Sequence, residues 1–392
     1  MTEVLIIGAG VIGLSLAREL YKKGVGKITV LERGAVGKES SFAAAGMLAP
    51  HAETEKIDDF FYFCNESRAL YPDFAAELFD ETGVDIELDR SGTLYLAFTE
   101  NDSKEIGERF EWQTKSEFPV EYLSANDVRK TEPFISPDVR EGLFFPNDWQ
   151  VENRKLLIAL QKFAELNRIE IIENAEVKNL LLEDRKVVGV ETETRKFFAS
   201  QIVLAAGAWT SFFSSALIGF DMRVSDLPAV RPIRGQIISF RTAKRLFSKV
   251  IYTPRGYIVP RADGRILSGA TVEDVGFDKS MTTNGIEFLR QNALEISPGL
   301  GNLEIYEKWA GLRPRSADGL PILGVAPFNE NLYVATAHYR NGILLAPLTA
   351  KILADKIIED KDSKYLEVFS PLLYRRHNFE QKIKSAAKRR QY

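Results

Sequence analysis

The chain has 392 residues, with 51 Lys or Arg and 55 Asp or Glu, so its formal net charge is −4. At ~150 residues per domain this length predicts two or three domains, and the 45% apolar fraction is typical of a globular protein. The slightly acidic balance disfavours a nucleic-acid-binding protein, which usually carries a basic excess. One cysteine, Cys64, excludes a disulfide framework and a cysteine-cluster metal site, and three histidines are too few to favour a histidine metal site.

The first 32 residues predict a βαβ unit. Residues 4–7 are an unbroken apolar run, typical of a strand buried on both faces. A glycine-rich turn follows, apolar residues then recur at helical spacing up to Gly24, and a second apolar run at 28–31 ends at Glu32. There is no basic segment before the first apolar run and no stretch of membrane-spanning length, so we expect a soluble, cytoplasmic protein.

Along the rest of the chain, segments of predicted helices and buried strands are interleaved with segments of antiparallel strands. Residues 153–166 predict an amphipathic helix, and residues 348–359, after Pro347, predict another. Strands are predicted at 170–172, 177–182, 187–191 and 202–206, and a hairpin at 257–260 and 265–269 around an Asp-Gly turn. This interleaving predicts two discontinuous domains. They are an α/β dinucleotide-binding domain over 1–80, 145–220 and 308–392, and an antiparallel, β-rich substrate-binding domain over 81–144 and 221–307.

The glycine-rich turn has the spacing of a dinucleotide-binding motif. Gly8 permits a tight turn, Gly10 allows the backbone to approach a pyrophosphate, and Gly13 lets the helix pack close to the strand. Glu32 lies 19 residues after Gly13, at the end of the second strand, where its carboxylate favours a free ribose diol. The alternative is a glycine-rich turn that binds no ligand. The preceding strand, the following helix, the glycine spacing and the position of Glu32 all favour dinucleotide binding instead. The motif does not distinguish FAD from NAD.

Two later patterns leave alternatives open. Residues 40–50, SSFAAAGMLAP, could place a flat aromatic ring against backbone with Ser40 and Ser41 on phosphate oxygens, or could form an alanine-rich core helix. Arg313, in WAGLRP, and Arg340, in HYRNGILLAP, are either anion-binding residues or members of structural ion pairs. Taken alone, the two arginines favour the structural interpretation, because buried charges commonly occur in such networks.

Together with GAWT at 207–210, these motifs resemble the glycine oxidase branch of the D-amino-acid oxidase family of FAD-dependent amine oxidoreductases. The resemblance covers nearly the whole chain, and it implies a Rossmann-like FAD-binding domain beside the β-rich domain. It implies non-covalent FAD, because relatives that attach flavin do so through a late cysteine and this chain has none after Cys64. The implied cofactor-binding residues are Gly8, Gly10, Val11, Ile12, Gly13, Glu32, Arg33, Ser40, Ser41, Ala45, Gly46, Met47, Val177, Gly207, His338, Tyr339, Arg340, Asn341, Gly342, Ile343 and Leu344.

The resemblance also implies a substrate site and a reaction. Arg313 would pair with a substrate carboxylate, Tyr257 would donate its hydroxyl to it, and Arg340 would lie at the rim. The implied reaction is oxidative deamination of glycine, sarcosine or small D-amino acids by hydride transfer to flavin N5. Molecular oxygen would be reduced to peroxide, and the imine would feed thiazole synthesis in thiamine biosynthesis. No acid–base side chain is required, because the flavin accepts the hydride.

Several alternatives remain at this point. A broader D-amino-acid or sarcosine oxidase, a quinone-linked dehydrogenase and a non-catalytic flavin-binding scaffold each fit the same motifs. Arg255 and Val272 replace the histidine and methionine expected near the substrate pocket, so the amine preference stays open. The resemblance further implies a homotetramer that binds a small amine and O2, with no metal, nucleic acid or membrane as a partner.

Overall fold

The computed structural model describes residues 2–184, 186–214, 229–327 and 329–373. The strands are β1 (Thr2–Ile7), β2 (Ile28–Leu31), β3 (Met47–Leu48), β4 (Thr93–Ala97), β5 (Glu121–Ser124), β6 (Glu141–Phe145), β7 (Trp149–Gln150), β8 (Glu170–Ile172), β9 (Val177–Glu183), β10 (Lys186–Thr192), β11 (Lys196–Leu204), β12 (Arg231–Arg241), β13 (Val250–Thr253), β14 (Gly256–Pro260), β15 (Arg265–Gly269), β16 (Glu307–Arg315), β17 (Ile322–Ala326) and β18 (Asn329–Thr336).

The α-helices are α1 (Val11–Lys22), α2 (Ser40–Ala43), α3 (Pro50–Glu53), α4 (Asp59–Ala69), α5 (Tyr71–Thr82), α6 (Glu100–Gln113), α7 (Ala125–Thr131), α8 (Asn153–Leu166), α9 (Thr283–Ile296), α10 (Gly342–Glu359) and α11 (Lys364–Val368). Short 3-10 helices span Gly207–Ser214 and Pro298–Asn302. None of the helices in these ranges is long and apolar enough to cross a membrane.

The first sheet has the strand order β17-β18-β11-β1-β2-β8, and β1 is parallel to both of its neighbours. Successive side chains of β1 point to opposite faces. Val4 and Ile6 pack in the core that contains α1, α8 and α10, whereas Leu5 and Ile7 pack in a second core beneath the hairpin β9–β10. The sheet is therefore covered on both faces, as the unbroken apolar run of β1 predicts.

The second sheet has the order β16-β12-β15-β14-β13-β4-β6-β5, and its pairs are antiparallel except β4 with β13. On β12, Ile238 packs into a core that includes Leu289 of α9, whereas its neighbour Ile237 faces the other way and lines a cavity. The predicted hairpin is present as β14 and β15. One face of this sheet is thus closed by α9, and the opposite face meets the first sheet's loops.

Two predicted boundaries differ from the structure. The predicted domain boundary at 308 falls inside β16, which pairs with β12 from Arg231↔Arg315 to Ser239↔Glu307 and so belongs to the second sheet. The strand predicted at 202–206 is β11, which starts at Lys196 because its first half pairs with β10 before its second half joins β1. Residues 221–228 of the predicted substrate-binding domain lie outside the described ranges.

The last long helix begins six residues earlier than predicted, because α10 starts at Gly342 and contains Pro347. A proline inside a helix has no N–H for the carbonyl four residues before it. Here that carbonyl, of Ile343, accepts a hydrogen bond from the hydroxyl of Tyr71, and the Ser67 hydroxyl donates to the Leu344 carbonyl at 2.7 Å. Side chains from the α4–α5 region therefore satisfy the carbonyls around Pro347, and the helix extends to Gly342.

Candidate active site

A cavity of about 650 Å³ lies between the carboxyl-end loops of the first sheet and the free face of the second. Its volume is within the ~300–1,000 Å³ typical of small-molecule sites. Its wall includes the three predicted substrate-binding residues, Arg313, Tyr257 and Arg340. It also includes the following predicted cofactor-binding residues: Gly8, Gly10, Val11, Ile12, Glu32, Arg33, Ser40, Ser41, Ala45, Gly46, Met47, Val177, Gly207, His338, Tyr339, Asn341, Gly342 and Ile343.

Two predicted cofactor-binding residues are not on this wall. Leu344 is 1% exposed and packs in the helical core, because its side chain lies on the face of α10 that the other helices cover. Gly13 lies one layer behind the wall, where a Cβ atom would come within 2.0 Å of the Gly8 carbonyl oxygen. Gly13 therefore permits the close packing of α1 on β1 and does not itself face the cavity.

The glycine-rich turn leaves an open cradle of backbone at the start of α1. Gly8 has φ +109°, and a Cβ there would lie 2.4 Å from the Ala205 carbonyl oxygen. A side chain at this position would therefore block the turn. The N–H groups at the start of α1 and the positive end of its dipole lie at the cavity wall, which suits a pyrophosphate.

Glu32 occupies the end of β2 and is 7% exposed. One carboxylate oxygen accepts the backbone N–H of Ala9 at 2.9 Å, and the other accepts that of Gly34 at 3.0 Å. A carboxylate offers about four lone-pair directions, so acceptor capacity remains on both oxygens. Held in this way on the cavity wall, Glu32 suits the two hydroxyls of a ribose.

The loop that starts at Ser40 lines the cavity with small residues and is not a core helix. Helix α2 ends at Ala43, and Ala44 is extended. Gly46 has φ +69°, and a Cβ atom there would lie 2.1 Å from the Val151 carbonyl oxygen, so no side chain fits. The Ser41 hydroxyl oxygen accepts the Val11 N–H at 3.0 Å, so its proton is available to a ligand. Ser40 differs, because its hydroxyl donates to the Leu312 carbonyl.

Arg313 projects from β16 into the cavity. Its Nη1 donates to the Thr271 carbonyl at 3.0 Å and lies 3.5 Å from the Arg234 carbonyl, and no ion pair joins Arg313 to a carboxylate of the described residues. Tyr257 is buried beside it on the neighbouring wall. Burial raises the pKa of the Tyr257 hydroxyl, and the positive charges of Arg313 and Arg340 oppose that rise. A planar guanidinium next to a neutral phenol is a suitable site for a ligand carboxylate.

Arg340 also lines the cavity, but its charge is compensated. Its Nε lies 2.8 Å from one oxygen of Glu53, and its Nη2 donates to the other oxygen at 3.0 Å and to the Tyr252 hydroxyl at 2.7 Å. The attraction of Glu53 raises the Arg340 pKa further. Sequence reasoning missed both partners. Nothing in the sequence marks Glu53, but the strand register of the hairpin β13–β14, which pairs Tyr252 with Tyr257, could have indicated Tyr252.

The segment between β18 and α10 closes another side of the cavity. His338 is buried, its Nε2 lies 3.2 Å from the Thr349 hydroxyl, and burial lowers its pKa to about 3. Its ring is therefore neutral near pH 7. Gly342 and Ile343 bring the first turn of α10 to the wall, so the helix contributes the positive end of its dipole there, at Gly342 and not near Leu348.

Arg255 and Val272 do not lie in the pocket, contrary to the sequence-based expectation. The Arg255 guanidinium bonds both Asp102 oxygens, at 2.8 and 2.9 Å, and also Glu295. This ion-pair network holds it outside the cavity wall, and the Val272 side chain is 56% exposed. Cys64 is also absent from the wall and is fully buried, which raises the pKa of its thiol.

Comparison with known proteins identifies the family. The family model described as DAO, FAD dependent oxidoreductase, matches residues 3–356. The chain belongs to this family. The predicted family resemblance, the α/β fold with a Rossmann-like FAD-binding domain and a second, β-rich domain, the enzyme class and FAD as cofactor are thereby confirmed. The residues described above fit FAD, since the glycine cradle, Glu32 and the small-residue loop share one cavity with Arg313.

The chain is similar to proteins named ThiO/ThiG and glycine oxidase and to a solved glycine oxidase structure. The bifunctional protein ThiO/ThiG of Trichormus variabilis is 38% identical over 94% of this chain and 54% of its own length. The chain thus spans about half of that relative. A glycine oxidase of Pseudomonas aeruginosa is 34% identical, over 90% of this chain and 94% of its own. The crystal structure of glycine oxidase from Geobacillus kaustophilus superposes with a TM-score of 0.87 at 31% identity, over 94% and 97% of the two chains.

Proposed function

We propose that this FAD-dependent oxidoreductase oxidises glycine and other small amino acids, such as sarcosine or small D-amino acids, to the corresponding imines. The observation that carries the proposal is the guanidinium of Arg313, which has no counter-ion in the described structure and lies beside Tyr257 in the cavity. Relatives that share 31–34% identity over most of the chain are named glycine oxidase, which supports the same substrate class.

The charge of the wall supports a substrate with one carboxylate. The wall has three arginines: Arg33 is paired with Glu39 and Arg340 with Glu53, whereas Arg313 has no ion pair with a described carboxylate. A dicarboxylic amine would bring a second negative charge close to Glu53. We therefore infer that monocarboxylic amines are preferred.

In this proposal the protein binds and orients the substrate. Arg313 forms two parallel hydrogen bonds with the carboxylate, and Tyr257 donates a third, which fixes the direction of the α-carbon. Bound FAD supplies the acceptor for the α-carbon hydride. The first turn of α10 presents N–H groups and a positive dipole end, which stabilise negative charge in the cavity. The neutral ring of His338 adds no charge of its own.

We further propose O2 as the final electron acceptor, with peroxide as a product, and an imine that a thiazole-forming step of thiamine biosynthesis consumes. The partial match to proteins named ThiO/ThiG supports that context. The homotetramer and the cytoplasmic location stay predictions. Light scattering on the purified holoprotein measures the oligomeric state, and cell fractionation determines the location.

The decisive experiment mixes the holoprotein anaerobically with glycine, sarcosine, D-alanine and iminodiacetate while flavin absorbance is followed. We expect glycine or another monocarboxylic amine to bleach the flavin, with Arg313→Lys much slower although FAD stays bound. Arg195→Lys, at an exposed position off the cavity wall, is the matched control. Bleaching by none of the amines would favour a non-catalytic scaffold. Peroxide formation in air, compared with and without a dye acceptor, distinguishes an oxidase from a dehydrogenase.

A further inference from the structure

One part of the cavity wall is built from the loop after β2 and the 3-10 helix after β11. It contains Arg33, Glu39, Trp209 and Phe212. The Arg33 guanidinium lies 3.8 Å from the centre of the Trp209 ring and also donates to a Glu39 oxygen at 3.1 Å. Because Arg33 directly follows Glu32, this wall adjoins the residue that suits the ribose. It is therefore the nucleotide side of the FAD site.

A loop from the second sheet contacts this wall from outside. Residues 270–282 connect β15 with α9. The centre of the Phe277 ring lies 5.0 Å from that of Phe212, on which it stacks, and 5.6 Å from that of Trp209. Two residues later, Lys279 Nζ lies 2.9 and 3.1 Å from the two oxygens of Glu39. Neither Phe277 nor Lys279 faces the cavity. Both support residues that do.

The loop is fixed to strand β12 of the second sheet by hydrogen bonds and an ion pair. Arg234 of β12 is 4% exposed and bonds Asp278 at 2.7 Å, while its backbone exchanges hydrogen bonds with Glu273. The buried Gln236 side chain donates to Thr282 at 3.0 Å and accepts the Thr282 N–H at 2.8 Å. Both ends of the loop are thus fixed to β12, so Phe277 and Lys279 reach across to the first sheet from a rigid base.

We propose that Phe277 and Lys279 form a cofactor latch, which holds the nucleotide wall against FAD and limits the rate at which FAD leaves. Arg33 and Glu39 lie on the loop after β2, and Trp209 lies in the short 3-10 helix after β11. The latch joins this wall to the second sheet through an aromatic stack and an ion pair. Opening that wall requires both contacts to break. The latch residues belong to the second sheet, whereas the glycine motif and Glu32 belong to the first, so FAD retention depends on contacts between the two sheets.

The test measures FAD release from the holoprotein, without any substrate, so it is independent of the amine proposal. Holoprotein is mixed with an excess of an unrelated apoflavoprotein that captures free FAD, and the transfer is followed by absorbance. We expect release to be about 5- to 10-fold faster in Phe277→Ala, the value of one aromatic stack. In Lys279→Ala we expect about 2- to 5-fold faster release at low salt, and less at high salt. Phe277→Trp, which keeps an aromatic ring, should restore slow release.

Matched controls come from the same chain. Phe288→Ala removes a similarly exposed ring from α9, and Lys115→Ala removes an exposed ion pair with Glu111, both off the cavity wall. These variants should release FAD at the wild-type rate. Because Lys279 is 42% exposed, its variants should fold normally even where Phe277→Ala does not. Lys279→Glu places two like charges together and should release FAD faster still.

Wild-type release rates in both Phe277→Ala and Lys279→Glu would overturn the latch. So would faster release in Phe277→Ala that Phe288→Ala matches, since the effect would then be a general loss of stability. Melting curves of the apoproteins accompany each measurement. A latch variant should accelerate release without lowering the apoprotein melting temperature more than its control does.

Discussion

The strongest test of the Arg313 site changes a neighbour and leaves the arginine itself intact. Gly235 lies on β12 opposite the guanidinium, and a Cβ atom there would be 2.2 Å from Arg313 Nη1 and 2.3 Å from Cζ. Ordinary contact begins at 3.4 Å, so Gly235→Ala must push the guanidinium away by about 1 Å. The glycine has no left-handed backbone angle, so alanine does not strain the strand.

The expected loss follows from that displacement. A misplacement of about 1 Å in a group that orients a substrate can cost about 10²-fold in rate, which corresponds to about 2.7 kcal/mol of transition-state stabilisation. We therefore expect kcat/KM for glycine to fall about 10²-fold in Gly235→Ala, mostly through KM, while bound FAD and its visible spectrum stay unchanged.

The assay is steady-state oxygen consumption with glycine, together with titration of FAD into apoprotein. Gly107→Ala is the matched control, because its Cβ would meet nothing within 4 Å on the exposed side of α6. A wild-type kcat/KM in Gly235→Ala, or a fall in activity that comes only from lost FAD binding, would refute the role of Arg313 in binding the substrate carboxylate.

Three further substitutions test other parts of the site. Tyr257→Phe removes one hydrogen bond to the substrate carboxylate and should lower kcat/KM by about 1–2 kcal/mol; an unchanged value would remove the hydroxyl from the site. Glu32→Ala removes the ribose acceptor and should weaken FAD binding by about tenfold or more, measured by fluorescence titration; a fully yellow protein with wild-type affinity would contradict that role. Glu53→Gln leaves Arg340 without its counter-ion, so kcat/KM for iminodiacetate should rise relative to glycine by about tenfold, and an unaltered ratio would disprove the charge argument developed from Arg313.

The sequence predicts well those features that short-range patterns encode. The βαβ unit follows from an apolar run, three spaced glycines and a second apolar run, and the structure contains β1, α1 and β2 at those places. Helix α8 has the predicted bounds, Asn153–Leu166, because its apolar positions recur at helical spacing. Each of these signals lies within about 30 residues of chain, so no distant contact is needed to read it.

Features that depend on distant partners were not predictable in this way. Proline inside a helix normally breaks it. Here the hydroxyls of Tyr71 and Ser67, more than 270 residues away, donate to the carbonyls of Ile343 and Leu344 before Pro347 and so let α10 reach the cavity. The assignment of β16 to the second sheet likewise depends on its pairing with β12. The local sequence shows the proline and predicts the strand. It does not show which distant groups complete the hydrogen bonds of the helix and of the strand.

Contacts with distant residues also give two similar arginines of the cavity wall different parts. Arg313 and Arg340 both adjoin apolar segments, and their sequence surroundings favour structural ion pairs for both. Among the described residues, Arg340 has such a partner, Glu53, which is 287 residues away, and Arg313 has none. The charge available to a substrate is therefore decided by one contact between distant parts of the chain. A substitution at Glu53 should change which amines bind without altering either arginine, and a substitution at Gly235 should move Arg313 without altering its charge.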